Sequence, residues 1–113
     1  MQKNNTASVY ADLVATQLRK GFLSFCVLKI CRTTPVYTSD IVAALRDAEL
    51  VVVEGTIYPL LNRLQRDGLL EYEWRESEQG PPRKYYKTTD YGNRVELLLQ
   101  AEITKLTKTA REL

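Results

Sequence analysis

The segment GTIYPLLNRLQRDGLL, residues 55–70, contains the pattern that decides the fold of this chain. Successive residues of an α-helix advance by about 100° around its axis. At that spacing four apolar residues share one side, which predicts a helix with a buried stripe: Ile57, Leu60, Leu61 and Leu64. Gly68 follows the last turn and is typical of a residue that ends a helix in the left-handed conformation. The polar residues on the opposite side are not needed for a core.

Pro59 lies inside this predicted helix. If the helix begins at Thr56, the proline falls in the first turn and loses only an amide that has no helical partner. If the helix begins near Glu54, Pro59 falls in the second turn and should bend it. The sequence is compatible with both starts.

The segments before this helix predict two further helices. A long helix is expected from about Ala7 to Cys31, and a short one follows over SDIVAALRDAEL, capped by Thr38 or Ser39. The residues RTTPVYTSD between them predict a loop. The β-branched run LVVVEG, directly before the opening segment, predicts a short strand.

The segments after the helix predict a hairpin and a last helix. Leu70, Tyr72 and Trp74 alternate with charged residues, and RKYYKTT is typical of a returning strand. A helix from Thr89 or Asp90 onward then carries an apolar stripe, which we list here: Val95, Leu98, Leu99, Ile103, Leu106, Ala110 and Leu113. So small a domain cannot cover this stripe, so we predict that it packs against a partner chain.

This order of elements predicts a mainly α fold with a small β-hairpin, a winged helix-turn-helix of the α+β class. Residues 1–89 would form the winged helix-turn-helix with its N-terminal helix. Residues 90–113 would form the dimerisation helix of the same domain.

Composition excludes several classes of function. The chain has 113 residues, 44% of them hydrophobic and 27% charged, which suits one globular domain. No apolar run is long enough for a membrane span and the N-terminus lacks a signal peptide, so we expect a cytoplasmic protein. Histidine is absent and no nucleophile, phosphate-loop or metal motif appears, which argues against an enzyme, a metal or a cofactor. Cys26 and Cys31 are expected to be reduced core or interface residues.

The outer side of the opening helix carries Tyr58, Asn62, Arg63 and Arg66 beside Pro59. Such residues can contact DNA phosphates and base edges in the major groove. A merely solvated side is the alternative, and for Arg66 the two interpretations weigh equally. On the hairpin, Arg83 and the neighbouring lysines could contact phosphates, or could pair with the glutamates across the strands. The net charge of +2 does not decide between them.

The segments EGTIYPLLNRLQRDGLLEYEW and SEQGPPRKYYKTTDYG resemble the PadR family of bacterial transcriptional regulators. The resemblance runs from about Gln17 to the end and is closest to the short subtype with one terminal helix. It implies a homodimer that controls transcription, usually by repression, at a palindromic operator of double-stranded DNA. The single tryptophan is not in the terminal helix, so the resemblance does not extend to members that bind flat aromatic drugs between tryptophans there.

The resemblance also implies which residues contact DNA, with GTIYPLLNRL as the recognition helix. By position these are Lys20, Thr56, Tyr58, Pro59, Asn62, Arg83 and Lys84. A small apolar or phenolic effector at the dimer interface is implied by family analogy only. The alternative is a ligand-sensing or protein-interaction module that keeps the winged-helix fold without a role at DNA.

Overall fold

The computed structural model describes residues 4–50 and 53–113, which form four helices and a three-stranded antiparallel sheet. The elements are α1 (Asn4–Ile30), β1 (Val36–Tyr37), α2 (Thr38–Asp47), α3 (Glu54–Arg66), β2 (Leu70–Arg75), β3 (Arg83–Thr88) and α4 (Asp90–Glu112). The sheet order is β1-β3-β2. The predicted fold class is therefore confirmed, a mainly α winged helix-turn-helix with a small sheet. None of the helices in the described part is long and apolar enough to cross a membrane.

The predicted loop between the first two helices is wrong at one place, because it contains β1. Val36 pairs with Tyr86 and Tyr37 with Tyr85, so β1 covers an edge of β3 that a two-stranded hairpin would leave open. The predicted cap is also wrong. Tyr37 occupies the cap position of α2 without a side-chain hydrogen bond, and Thr38 is already helical and buried.

Where LVVVEG is described it does not form the predicted strand, and its last two residues, Glu54 and Gly55, belong to α3. Val51 and Val52 are not described, and their neighbours Leu50 and Val53 lie in neither a helix nor a strand. Val53 instead precedes the first residue of α3.

The two helices of the helix-turn-helix end in the same way. After α2, Glu49 has φ 63° and the Leu50 amide donates to the Leu45 carbonyl at 3.1 Å. After α3, Gly68 has φ 82° and the next amide donates to the Leu64 carbonyl at 2.9 Å. Both ends are left-handed terminators, which confirms the predicted role of Gly68.

The core lies between the C-terminal half of α1, the helices α2 and α3, and one face of the sheet. Its buried residues are Leu23, Val27, Leu28, Cys31, Ile41, Val42, Leu45, Ile57, Leu60, Leu61, Leu64, Leu70 and Tyr86. The predicted stripe of α3 is thus confirmed. The first half of α1 lies outside this core, and its apolar residues Val9, Leu13 and Leu18 are exposed.

The start of α4 is fixed against the turn between α3 and β2. The Thr89 side chain caps α4 by accepting from the Gly92 amide at 2.9 Å, and it donates to the Gly68 carbonyl at 2.7 Å. Gly92 packs so closely on the Leu69 carbonyl and the Thr88 side chain that an added Cβ would collide with both. The direction in which α4 leaves the domain follows from this contact.

Candidate nucleic-acid interface

The outer side of α3 carries every residue that the sequence assigned to it. Thr56, Tyr58, Pro59, Asn62, Arg63 and Arg66 are all exposed, while the apolar stripe on the other side is buried. Tyr58 is 48% exposed, which is costly for a large aromatic side chain without a partner. The side of α3 that faces away from the core is therefore available for contact.

The structure settles where α3 begins. Its first residue is Glu54, so Pro59 lies in the second turn, and α3 is one helix through to Arg66. A proline nitrogen has no hydrogen, so the carbonyl of Gly55, four residues earlier, lacks its usual helical partner. Gly55 is exposed, so that carbonyl remains accessible to solvent or to a bound group.

The C-terminal half of α3 lies beside α1. The Arg63 guanidinium donates to the Ser24 hydroxyl at 3.5 Å. Lys20 is exposed and lies one helical turn before Ser24, on the same side of α1. Arg66 is exposed and, among the described residues, no carboxylate lies within 4.0 Å of it. The exposed surface of α3 thus extends beside α1, and we call this part, formed by Lys20, Arg63 and Arg66, the α1 end.

The wing, residues 70–88, consists of β2, its tip and β3 and presents two faces. The face toward the helices carries Tyr72, Trp74, Lys84 and Tyr86, in the register Tyr72↔Tyr86 and Trp74↔Lys84. The Lys84 ammonium lies 4.1 Å from the ring centroid of Tyr72 and 5.2 Å from that of Tyr86. Aromatic rings attract a cation placed over their faces, so Lys84 is held in this position.

Two other cationic side chains of the wing, both arginines, lie over tyrosine rings. Arg75 lies 4.6 Å from the Tyr85 ring centroid and Arg83 lies 4.9 Å from the Tyr37 ring centroid. In the described part of the chain, the wing has one ion pair, between Arg75 and Glu73 of the same strand at 3.1 Å. The interpretation of the wing charges as cross-strand ion pairs is therefore wrong. Among the described residues, no carboxylate lies within 4.0 Å of Arg83, although Glu76 and Glu78 line one pocket with it.

A cleft separates α3 from the wing. It has a volume of about 280 Å³. Its lining combines residues from α3, the wing and β1: Tyr37, Thr38, Tyr58, Asn62, Trp74, Pro82, Arg83, Lys84 and Tyr86. Four predicted site residues, two on α3 and two on β3, thus meet at one place, whereas Lys20 and Arg63 lie at the α1 end.

Sequence reasoning missed Trp74 and Tyr37 as parts of this surface. Trp74 and the buried Leu70 are four residues apart in β2, so the alternation with charged residues already placed both on the same face of the sheet. Tyr37 had no comparable signal, because it belongs to a strand of only two residues.

A second concave surface, the groove, runs between α1 and α4 with a volume of about 410 Å³. Its apolar lining comes from both helices: Leu18, Phe22, Phe25, Leu99, Ile103 and Leu106. Three residues of the predicted dimerisation stripe therefore line it. Of the others, Val95 is half-buried against the core, while Leu98 and Leu113 are exposed outside the groove.

Both thiols are free and neither has the environment of a reactive cysteine. Burial raises the pKa of Cys31 to about 12. Burial also raises the pKa of Cys26, against the smaller opposing effect of Lys29. Thiols that resist ionisation are weak nucleophiles and metal ligands, which fits the predicted role in packing.

Comparisons with known proteins agree with this geometry. The model of the transcriptional regulator PadR-like family matches residues 27–96. A PadR-like transcription factor from Bacteroides fragilis has 49% identity and a TM-score of 0.75, with 88% of this chain and 96% of that chain covered. A PadR family transcriptional regulator from Eggerthella lenta has 36% identity and a TM-score of 0.79, with 93% of this chain and 95% of that chain covered.

A third solved structure is a PadR-like transcriptional regulator from Bacillus cereus, with 33% identity, a TM-score of 0.74 and 85% and 94% of the two chains covered. None of the curated proteins matches this chain. The family match spans more than half of the chain and the solved relatives span most of it. Members of this family are DNA-binding regulators of transcription and not enzymes, and this chain belongs to the PadR-like family of transcriptional regulators.

Proposed function

We propose that this protein is a bacterial, cytoplasmic repressor that binds a palindromic operator as a homodimer. One observation carries the proposal. The exposed side of α3 and the cationic side chains of the wing border one cleft, which brings Tyr58 and Asn62 close to Arg83 and Lys84. A helix of this width fits the major groove of B-DNA, and a wing beside it can contact the backbone.

The residues divide into two roles. Asn62 can form two hydrogen bonds with the edge of an adenine, so it is proposed to read sequence. Arg83 and Lys84 are proposed to contact phosphates, with Lys20 as a backbone contact at the α1 end. Thr56, Tyr58, Arg63 and Arg66 complete the surface, and Pro59 faces the DNA between them.

The homodimer is proposed from the unpaired apolar residues of α4 and α1. Leu98, Leu106 and Leu113 are 72%, 56% and 101% exposed, and the first half of α1 adds further exposed apolar residues. A second copy would cover them with residues 90–113 as the dimerisation helix. Two copies of α3 related by a two-fold axis would then meet half-sites about 34–36 Å apart.

An apolar or phenolic effector is proposed to bind in the groove and release the DNA. The groove is lined mainly by apolar side chains, beside Arg19, Glu102 and Thr107, and its volume suits a small aromatic molecule. Because it lies between α1 and α4, a ligand there would change how the two helices, and hence the two protomers, pack.

The test is a comparison of two variants in anisotropy titrations with duplexes from the protein's own upstream region. Arg83→Ala should weaken binding to all duplexes alike, because a phosphate contact carries no sequence information. Asn62→Ala should reduce the preference for one duplex over its base-substituted forms by about 1–3 kcal/mol per contacted base pair. If neither variant differs from the wild type, α3 and the wing do not form the interface, and the alternative of a ligand-sensing or protein-interaction module is favoured.

A further inference from the structure

We propose that Glu96 is a positioning residue, whose ion pairs with Arg32 and Lys29 fix the angle at which α4 leaves the domain. In the homodimer this angle sets the distance between the two copies of α3. The inference rests on the homodimer of the proposed function. It goes beyond that function by naming the residue that selects the spacing of the two half-sites in the operator.

Glu96 is the buried charge by which α4 is attached to α1. Gly92 and Glu96 are the two buried residues of α4. The Arg32 guanidinium donates to one carboxylate oxygen of Glu96 at 3.0 Å, and the Lys29 ammonium lies 3.9 Å from the other. Lys29 also donates to the side-chain oxygen of Gln100, one turn further along α4, at 3.2 Å. We call these four residues, Lys29, Arg32, Glu96 and Gln100, the junction.

The end of α1 that carries the junction is itself fixed to the core. The Thr88 hydroxyl, at the end of β3, donates to the Leu28 carbonyl at 2.8 Å, and the Thr88 amide donates to the Cys31 carbonyl at 3.0 Å. Leu28 and Cys31 are buried in the same core as the apolar stripe of α3. The junction therefore fixes α4 relative to the part of the chain that presents α3.

Two points of contact are needed to define the direction of a helix. The capped start of α4 at Gly92 is the first, and the junction at Glu96, about one turn later, is the second. Beyond Gln100, no hydrogen bond or ion pair joins the described residues of α4 to α1, and the contacts are those of the mainly apolar groove. Apolar contacts are non-directional and allow two helices to tilt, whereas a hydrogen-bonded ion pair favours one geometry. The angle of α4 is therefore assigned to Glu96.

Glu96 lies near the start of a long helix, so a small tilt there has a large effect at the other end. Glu112 lies about 24 Å beyond Glu96 along the axis, at about 1.5 Å per residue. A tilt of about 10° at the junction would move that end by about 4 Å, which is close to the rise of one base pair. Because the partner is proposed to pack along α4, the distance between the two copies of α3 would change by a similar amount.

The distance between the protomers can be measured without DNA. A nitroxide label is attached at Ala43→Cys, an exposed position inside α2, in a Cys26→Ala background that leaves only the buried, unreactive Cys31. Pulsed electron–electron double resonance then gives the distances between the two labels. We expect a narrow distribution for the wild-type junction. For Glu96→Leu, which fills the same volume without the charge, we expect a distribution shifted or broadened by about 4 Å or more.

Three further variants make this measurement decisive. Glu96→Gln keeps an oxygen that can accept from Arg32 and should restore a distribution close to that of the wild type. Lys29→Met removes a half-exposed cation and keeps the Arg32–Glu96 pair, so it should retain the fold and broaden the distribution less than Glu96→Leu. Glu112→Leu makes the same exchange at an exposed position of the last turn and should change nothing.

The outcomes separate the inference from the homodimer. Wild-type distributions in both Glu96→Leu and Lys29→Met would overturn the inference, while the measured distance would leave the homodimer intact. The absence of any dipolar coupling between labels on the wild-type junction, with a monomer in light scattering, would overturn both.

Duplexes with altered spacing test the consequence for the operator. Two inverted half-sites, taken from an upstream duplex that the wild type binds, are separated by the natural spacing or by one base pair more or fewer. One added base pair should weaken wild-type binding about tenfold or more and Glu96→Leu binding about threefold or less. A duplex with a single half-site should bind both proteins equally, because Glu96 lies away from the proposed DNA surface. An equal effect of the added base pair on both proteins would overturn the assignment of spacing to Glu96.

Discussion

The Arg32 guanidinium donates to the Glu96 carboxylate at 3.0 Å and thereby joins the end of α1 to α4. The Glu96 side chain is only 1% exposed, whereas that of Arg32 is 45% exposed. Lys29 lies 3.9 Å from the second carboxylate oxygen, which accepts no hydrogen bond from the described residues. The buried Glu96 carboxylate thus connects α4, the helix proposed for dimerisation, to the C-terminal end of α1.

Replacing this carboxylate should destabilise the fold. Glu96→Ala removes a charge-assisted hydrogen bond and leaves a cavity, so we expect the free energy of unfolding to fall by about 2 kcal/mol. Urea denaturation at one fixed protein concentration measures it. Glu112→Ala, which removes an exposed carboxylate from the last turn of the same helix, should change stability by less than about 0.5 kcal/mol. Equal stabilities of the two variants would show that the Arg32–Glu96 pair contributes nothing.

A side chain at position 92 should displace α4. In Gly92→Ala the new Cβ would lie 2.6 Å from the Thr88 Cγ2 and still closer to the Leu69 carbonyl oxygen. Because the latter is backbone, the start of α4 must shift, and we expect a loss of about 2 kcal/mol or more. Gly55→Ala is the control, since its Cβ would have no neighbour within 4 Å. That variant should be as stable as the wild type or more stable by up to about 1 kcal/mol.

The thiol of Cys31 should make stability decline in alkali. Burial raises its pKa from 9.0 to about 12, so between these values the unfolded chain loses the proton and the folded chain keeps it. Stability from this group is therefore complete below pH 9 and is lost as the pH rises toward 12, by about 1–2 kcal/mol at about pH 10.5.

Urea denaturation at about pH 8 and about pH 10.5 measures this decline. Cys31→Ala should show a smaller decline than the wild type. Cys26→Ala, which removes a half-buried thiol, should retain most of it. A decline of the same size in Cys31→Ala would assign the pH dependence to other groups.

A charge in the groove should separate the protomers. Ile103→Asp places a carboxylate among apolar side chains that the proposed partner covers, which is unfavourable in an apolar interface. Light scattering should show a monomer, and affinity for a palindromic duplex should fall about tenfold or more, because each protomer then binds one half-site alone. Leu97→Asp, on the opposite side of α4 and 60% exposed, should remain a dimer. A dimeric Ile103→Asp would exclude the groove from the interface.

The parts of the fold that sequence predicted are those fixed by local chemistry. The prediction of the buried stripe of α3 was correct because a helix with one buried side repeats its apolar residues every three or four positions. The prediction that Gly68 ends α3 was correct because the left-handed conformation after a helix favours glycine. Thr89 was one of the two residues expected at the start of α4, and its hydroxyl does cap that helix.

The parts that sequence did not predict depend on distant partners. The strand β1 exists because Val36 and Tyr37 pair with β3, and two residues are too few to show alternation. The start of α3 at Glu54 has no side-chain cap to mark it. The apolar spacing of α1 predicted a helix correctly, but it could not reveal that residues such as Leu13 remain exposed within one chain. The cleft was missed because Trp74 and Lys84 meet only through the register of β2 and β3.

The central claim is that this protein binds DNA in a sequence-specific manner, and one titration tests it most directly. Wild-type protein is titrated by anisotropy against a duplex from its own upstream region and against a scrambled duplex of the same composition, at several salt concentrations. The account predicts tighter binding to the upstream duplex by about 10³-fold or more at physiological salt, with affinity for both falling steeply as salt rises. Equal affinity for the two duplexes, or no binding to either at low salt, would contradict it.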